Sequence, residues 1–304
     1  MKTAELRLLF LSIFLGITSL FAYAASKFTP GKIIVIITAV GFLGFIVAFT
    51  ILARKLKGFW QIARAAVLSL MGIIAGTYLL LFVVTTFFQD AIVNKTSSFF
   101  QPRTISMDYS QAVLTANVTA LDLTTPEGIH LRGWLVRNST EAKTPLVIYF
   151  GGSGSESSEI IPFTGKLTGW SVALVNYRGF GLSEGTPTHQ NVLADALFIY
   201  DTLTARDDID SGRIVSMGYS LGTGVAVYLS EQRPVAGTIL VSPYDQWTLI
   251  GLKHPPFYAP LEGILKPYFD SRSRAPGITS PMLCLLGSND TFVLPELSLK
   301  LVND

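Results

Sequence analysis

Hydrophobic residues are spread unevenly along the chain, and the kind of periodicity changes once, near residue 117. Ahead of that point lie three apolar runs, Leu6 to Ala24, Ile33 to Ala53 and Ala65 to Phe88, with no charge inside any of them after Arg7. Each is about 20 residues long, enough to cross a hydrocarbon core at about 1.5 Å per residue. The pattern therefore predicts transmembrane helices at 6–24, 33–53 and 65–88. The first run admits a second reading as a cleaved signal peptide, because Lys2 and Arg7 precede it and Ala22-Tyr23-Ala24 fits a small-residue cleavage site. Residues 89–116, with Pro102 and several Ser and Thr, read as a linker.

From residue 117 to 304 short apolar runs alternate with helical patterns, the order that builds a mostly parallel sheet with helices on both faces, an α/β fold. Asn117 to Thr124 and Ile129 to Val136 flank Pro126-Glu127-Gly128 and predict an antiparallel hairpin. Pro145 to Phe150, Val172 to Val175, Arg213 to Met217, Val235 to Val241 and Pro281 to Leu286 predict five parallel strands. Val192, Leu193, Ala196, Leu197 and Tyr200 share one face of a helix at 3.6-residue spacing, and a second helix is expected from Leu221 to Leu229.

Composition sharpens the membrane reading. With 49% hydrophobic and 14% charged residues the chain is too apolar to be water-soluble throughout, and its net charge of +2 brings no basic tract suited to nucleic acid. Arg54, Lys55, Lys57 and Arg64 lie between the second and third runs, against Lys27 and Lys32 between the first and second. The positive-inside rule then makes the former loop cytoplasmic and delivers the 117–304 domain to the other side of the membrane. Asn94, Asn117, Asn138 and Asn289 each begin an N-x-S/T sequon, as an external domain allows. Gly72-x-x-x-Gly76 in the third run would let another helix approach closely. The runs carry no internal charge that would mark an ion path. The single cysteine, Cys284, reads as a core residue, and His130, His189 and His254 lack the spacing of a helical zinc site. No cofactor or metal is expected.

The pattern G-x-S-x-G occurs twice, at Gly181 to Gly185 and at Gly218 to Gly222, so context must choose between them. A serine presented on a strand-to-helix turn needs a strand directly before it, a helix directly after it, and glycines that leave room for the turn. Ser220 has apolar Ile214, Val215 and Met217 leading in and Val225, Ala226, Val227 and Leu229 leading out. Ser183 precedes Thr186-Pro187 and reads as a turn serine. A helix starting at Leu221 aims its N-terminal N–H groups at the serine, making the Leu221 N–H one oxyanion donor. The second is expected from the loop after Phe150, at Ser153, with Gly152 next.

Val175-Asn176-Tyr177-Arg178-Gly179-Phe180-Gly181-Leu182-Ser183-Glu184-Gly185, followed by Gly218-Tyr219-Ser220-Leu221-Gly222, resembles the α/β-hydrolase superfamily, nearest its membrane-tethered, serine-aminopeptidase-like and acyl-hydrolase-like members. Asn176 stands where relatives often have Asp, and Gly151 where they often have His. The resemblance implies that Gly287-Ser288-Asn289-Asp290-Thr291-Phe292-Val293 carries the acid of a Ser-acid-His triad at Asp290, with Asp245 as the fallback. It also implies a histidine roughly 25 residues after the acid. None follows Asp290 in this sequence, so the expectation is a fragment that stops short of its last strand and helix. His254, in a Pro- and aromatic-rich stretch, is the one conceivable substitute, while His130 and His189 read as surface or turn residues.

Two functions compete at this point. One is a membrane-anchored serine hydrolase that cleaves an ester, thioester or amide in a small-molecule, lipid or acylated substrate through an acyl-enzyme on Ser220. The other is a non-catalytic membrane protein using the same fold for binding. Trp247 to Phe269, with Phe257, Tyr258 and Tyr268, suggests an apolar cap over the site.

Overall fold

A computed structural model of the chain describes residues 100–247 and 268–293, with isolated positions at 58, 61, 67, 72, 76, 79, 295, 298, 299 and 301. The runs expected to span a membrane lie outside the described residues apart from a few of those single positions. Among the described residues no helix is long and apolar enough to cross a membrane. The chain divides into two compact units, and the unit formed by 97–258 and 267–304 holds every element below.

Its centre is a seven-stranded sheet in the order β1-β2-β4-β3-β5-β6-β7. The strands are β1 Val118–Thr124, β2 His130–Arg137, β3 Thr144–Phe150, β4 Ser171–Val175, β5 Ile209–Tyr219, β6 Gly237–Val241 and β7 Met282–Leu285. β1 and β2 form the expected antiparallel hairpin, closed at Gly128, whose φ of 81 suits only glycine and whose N–H donates to the Thr125 carbonyl at 2.8 Å. β2 joins β4 antiparallel, and β4, β3, β5, β6 and β7 run parallel. Every residue of β3 and β4 is buried, which is why they read as unbroken apolar runs, whereas edge strand β1 mixes buried and exposed positions. Where Gly133 of β2 pairs with Val175 of β4 only glycine fits, since a Cβ on Gly133 would lie 2.8 Å from the Val175 Cα.

β5 begins at Ile209, ahead of the expected Arg213. Thr144 pairs with Ile209 but Leu146 with Ile214, so the polar Asp210, Ser211 and Gly212 form a bulge that interrupts the hydrophobic signal. Three helices matter for the site: α1 Met107–Ala112, α2 His189–Thr204 and α3 Leu221–Gln232. α2 starts on a capping box, with Thr188 Oγ1 accepting the Asn191 N–H at 3.2 Å and Asn191 Oδ1 accepting the Thr188 N–H at 2.7 Å. It buries Val192, Leu193, Ala196, Ile199, Tyr200 and Leu203; Leu197, expected on that face, is only half-buried.

Residues 100–113, inside the stretch read as a linker, are docked on the domain. The Gln101 N–H donates to the Ser153 carbonyl at 2.7 Å, and the Gly181 N–H to the Arg103 carbonyl at 2.7 Å. Phe100 is buried edge-on against Tyr177, Phe180 and Phe269, at 6.1, 6.4 and 6.1 Å between centroids.

At the opposite end of the strands, Asp208 accepts from Arg206 at 2.8 and 2.9 Å and from Arg137 at 2.7 Å. The Arg206 hydrogen bonds, then the charges of Arg206 and Arg137, hold its carboxyl below the usual value of 3.8. A depressed folded pKa contributes stability that is present above the unfolded value and lost as pH falls through the folded one. The site is mostly solvated, so the expected contribution is about 0.5 kcal/mol. Urea midpoints of Asp208→Asn should therefore lie slightly below wild type at pH 7 and coincide with it at pH 2.

Candidate active site

β5 ends in a sharp turn at Ser220, with φ 51 and ψ −119, a backbone conformation that L residues avoid at a cost of about 1–3 kcal/mol. Three contacts hold it there. The Ser220 N–H donates to the Val241 carbonyl of β6 at 2.9 Å, and the Ser220 carbonyl accepts from the Thr223 N–H at 2.9 Å and from Thr223 Oγ1 at 2.7 Å. The flanking glycines are obligatory in this packing. A Cβ on Gly218 would lie 2.6 Å from the Thr223 Cα, and one on Gly222 would lie 2.6 Å from the Gly151 carbonyl oxygen and closer still to that of Phe150. Ser220 itself remains part-exposed. α3 begins at the next residue, so its first N–H groups and positive dipole end lie beside the hydroxyl.

β3 is in register with β5, Phe150 opposite Gly218, so the loop after β3 and the turn after β5 leave the same rim of the sheet side by side. Gly152 packs against Tyr219, where a Cβ would lie 3.3 Å from the ring. Three successive carbonyls of this loop are occupied: Gly151 accepts from the Tyr177 hydroxyl at 2.8 Å, Gly152 from the Ser155 N–H at 3.3 Å, and Ser153 from the Gln101 N–H at 2.7 Å. Among the described residues nothing accepts from the N–H groups of Gly152, Ser153 or Leu221.

Asp290 lies in the turn after β7, two strands from β5 and, because the strands between are parallel, on the same rim. Adjacent strands sit about 4.8 Å apart, so the two strand ends are separated by about 10 Å, room for one imidazole between side chains. Asp290 Oδ1 accepts from the N–H groups of Phe292 and Val293, both at 2.9 Å, which fixes the carboxylate without occupying Oδ2. Asp245, after β6, is buried; its Oδ1 accepts the Gln246 N–H at 2.8 Å and its carbonyl accepts from Ser271 at 2.9 Å and Arg272 at 3.1 Å, an anchor for the chain at 271–272.

His130 opens β2 and pairs with Asp122 at 2.8 Å. His189, expected at the surface or in a turn, is half-buried. It opens α2 and packs edge-on against Phe269 at 4.5 Å and Tyr268 at 5.2 Å, because the aromatic end of the proposed cap folds back onto it. His254 lies outside the described residues, as does most of the cap; the cap's described members Trp247, Tyr268 and Phe269 are buried. Cys284 is half-buried on β7 rather than in the core, and burial pushes its thiol upward. No group of three His, Cys, Asp or Glu that could hold a metal occurs among the described residues.

The second G-x-S-x-G is structural. Ser183 is buried, its Oγ accepting the Arg132 N–H at 2.8 Å and donating to the Asn176 carbonyl at 3.1 Å. Arg178 in the same loop clamps Asp195 of α2 through two bonds of 2.8 and 2.7 Å and also reaches Glu127 at 3.2 Å. Burial pushes the Asp195 carboxyl up against the pull of Arg178, whose own guanidinium is held charged by the same bonds.

Asn176 is buried between polar partners: its Nδ2 donates to Glu156 Oε1 at 2.6 Å and its Oδ1 accepts the Ser157 N–H at 2.9 Å. The amide supplies a donor that a carboxylate at this position would lack, and Glu156 is the reason it is needed. Asn176→Asp would set two carboxylates in contact in a buried place. We expect it to cost about 2–3 kcal/mol, read as a lower urea midpoint at neutral pH.

Comparison with known proteins gives one consistent answer. A family model described as the alpha/beta hydrolase fold matches residues 145–262. The chain is 34% identical over 180 residues to an uncharacterised protein of Mycobacterium tuberculosis, covering 59% of this chain and 64% of that one. It is 30% identical over 185 residues to the lysophosphatidylserine lipase ABHD12 of Danio rerio, covering 54% and 48%. The match thus spans less than two thirds of the length of these relatives. Among solved structures, an alpha-beta hydrolase of Vibrio vulnificus superposes with a TM-score of 0.56 at 23% identity, covering 71% of this chain and 80% of the other, which speaks to the fold alone.

Proposed function

Since the chain belongs to the α/β-hydrolase superfamily, we propose that it is a membrane-anchored serine hydrolase that cleaves an acyl ester, thioester or amide through an acyl-enzyme on Ser220. The observation that carries this is the serine itself: a part-exposed, non-glycine residue at φ 51, held by a neighbouring strand and walled by two glycines, at the start of a helix. A fold keeps such strain only where surrounding packing enforces it, and strain of this kind concentrates at reactive sites.

In the proposed reaction Ser220 Oγ attacks the substrate carbonyl while its proton passes to the triad histidine that the family resemblance implies, which no described residue supplies and which Asp290 Oδ2 would orient. The oxyanion that forms lies against the N–H of Leu221 and that of Ser153 or Gly152. Collapse breaks the bond to the leaving alcohol, thiol or amine, which takes up the proton from the imidazole. Water then attacks the acyl-Ser220 ester by the same route, releasing the acid and restoring the hydroxyl.

The lipase named above makes single-chain acyl lipids the first substrates to try. Anchoring through residues 6–24, 33–53 and 65–88, with the domain on the non-cytoplasmic side, would present the site at the membrane surface where such amphiphiles are found. No cofactor takes part in this scheme.

The test is labelling of the full-length protein by a fluorophosphonate, which transfers its phosphonyl group to an activated serine with loss of fluoride. We expect one label, on Ser220. The rival reading, a binding protein built on the same fold, predicts none, and a label on Ser183 instead would end the assignment.

A further inference from the structure

The loop expected to supply the second oxyanion donor has no regular structure of its own, so something must aim its N–H groups. In a trans peptide the C=O of one residue and the N–H of the next point in opposite directions. Fixing a carbonyl therefore fixes the neighbouring amide. The Tyr177 hydroxyl, by donating to the Gly151 carbonyl, turns the Gly152 N–H the other way; Ser155 does the same for the Ser153 N–H through the Gly152 carbonyl. The Gln101 N–H, by donating to the Ser153 carbonyl, fixes the far end of the loop.

Neither external anchor is local. Tyr177 comes from the loop after β4 and is buried, its ring edge-on to Phe180 at 5.7 Å and Phe100 at 6.1 Å. Gln101 comes from the arm before α1, and Phe100 beside it closes the same aromatic cluster. Burial pushes the Tyr177 phenol well above its ordinary value, so it remains a donor throughout the working range.

We propose that Tyr177 and the backbone N–H of Gln101 are positioning groups for the oxyanion hole, the first turning the Gly152 N–H toward the nucleophile through the Gly151 carbonyl and the second anchoring the far end of the loop through the Ser153 carbonyl. This rests on Ser220 being the nucleophile. It gives the arm at 100–104 a role in turnover although it supplies no group that touches substrate.

Two substitutions remove one donor each. Tyr177→Phe keeps the ring and deletes the hydroxyl. Gln101→Pro deletes the N–H at an exposed position that already precedes Pro102, where the chain is biased to the extended form proline adopts. Gln101→Ala keeps the N–H and serves as the conservative control. With full-length protein in detergent micelles and p-nitrophenyl butyrate as the probe ester, kcat is expected to fall about 10-fold in each of the first two, with KM within about twofold of wild type. The rate of fluorophosphonate labelling falls in parallel, and Gln101→Ala retains the wild-type kcat. All rates are read well below each variant's melting midpoint, so that loss of fold does not imitate loss of positioning. Unchanged kcat in Tyr177→Phe and Gln101→Pro, while Ser220→Ala is inactive, would overturn the proposal and leave the nucleophile standing. Equal loss in Gln101→Ala and Gln101→Pro would also overturn it, by assigning the effect to the side chain. Turnover that survives Ser220→Ala would instead remove the reading on which the proposal rests.

Discussion

Ser220→Ala is expected to abolish fluorophosphonate labelling and to lower kcat at least about 10⁴-fold, because binding groups and an oxyanion hole alone retain little of a serine enzyme's rate. The same position offers a second readout that owes nothing to chemistry. Alanine inherits the β-carbon that makes φ 51 costly, so its folding stability should match that of the serine. Glycine has no such carbon, and Ser220→Gly is expected to be equally inactive yet about 1 kcal/mol more stable in urea unfolding. An inactive glycine variant no more stable than the alanine variant would mean that the turn is not strained. The hydroxyl that would react is carried on the β-carbon that strains the turn.

The second large effect is on the fold. Gly222→Ala adds one carbon between the first turn of α3 and the end of β3, where backbone oxygens of Phe150 and Gly151 occupy the space. Backbone atoms at the centre of a sheet cannot move as a flexible side chain can, so helix and strand must separate. We expect a loss of at least about 3 kcal/mol and no covalent labelling. Gly237→Ala is the control, since the nearest atom to its added carbon is the Pro281 carbonyl oxygen at an ordinary 3.6 Å. Its urea midpoint should stay within about 0.5 kcal/mol of wild type. A Gly222→Ala protein as stable as Gly237→Ala would show that the elbow has slack.

Most of the sheet could be read in advance because its signals are local. The hairpin, the buried runs at β3 and β4 and the strand-serine-helix pattern around Ser220 each follow from neighbours in sequence. Where polar residues interrupt a strand the signal fails, as at Asp210 to Gly212, and β5 is longer than its apolar core. The strand-to-helix turn at Ser220, and its absence at Ser183, was equally legible, since an apolar helix comes after the one and Thr186-Pro187 after the other. Pairing over distance is the part the sequence conceals. Nothing near Asn176 announces Glu156, nothing near Gln101 announces Ser153, and nothing near His189 announces Phe269. The loop after β3 shows both sides of this: its glycines marked where it lies, but the hydrogen bonds to its carbonyls come from Tyr177 and Gln101 on two other segments.

The bond from the Ser220 amide to Val241 ties the strand-to-helix turn to the neighbouring strand of the sheet rather than to a surface loop. Solvent deuterium can replace that amide proton only when β5 and β6 part, which asks more of the fold than the fraying of a loop. Under the proposed reaction, the direction of the hydroxyl would be stored in the pairing of two strands and not in the conformation of the rim.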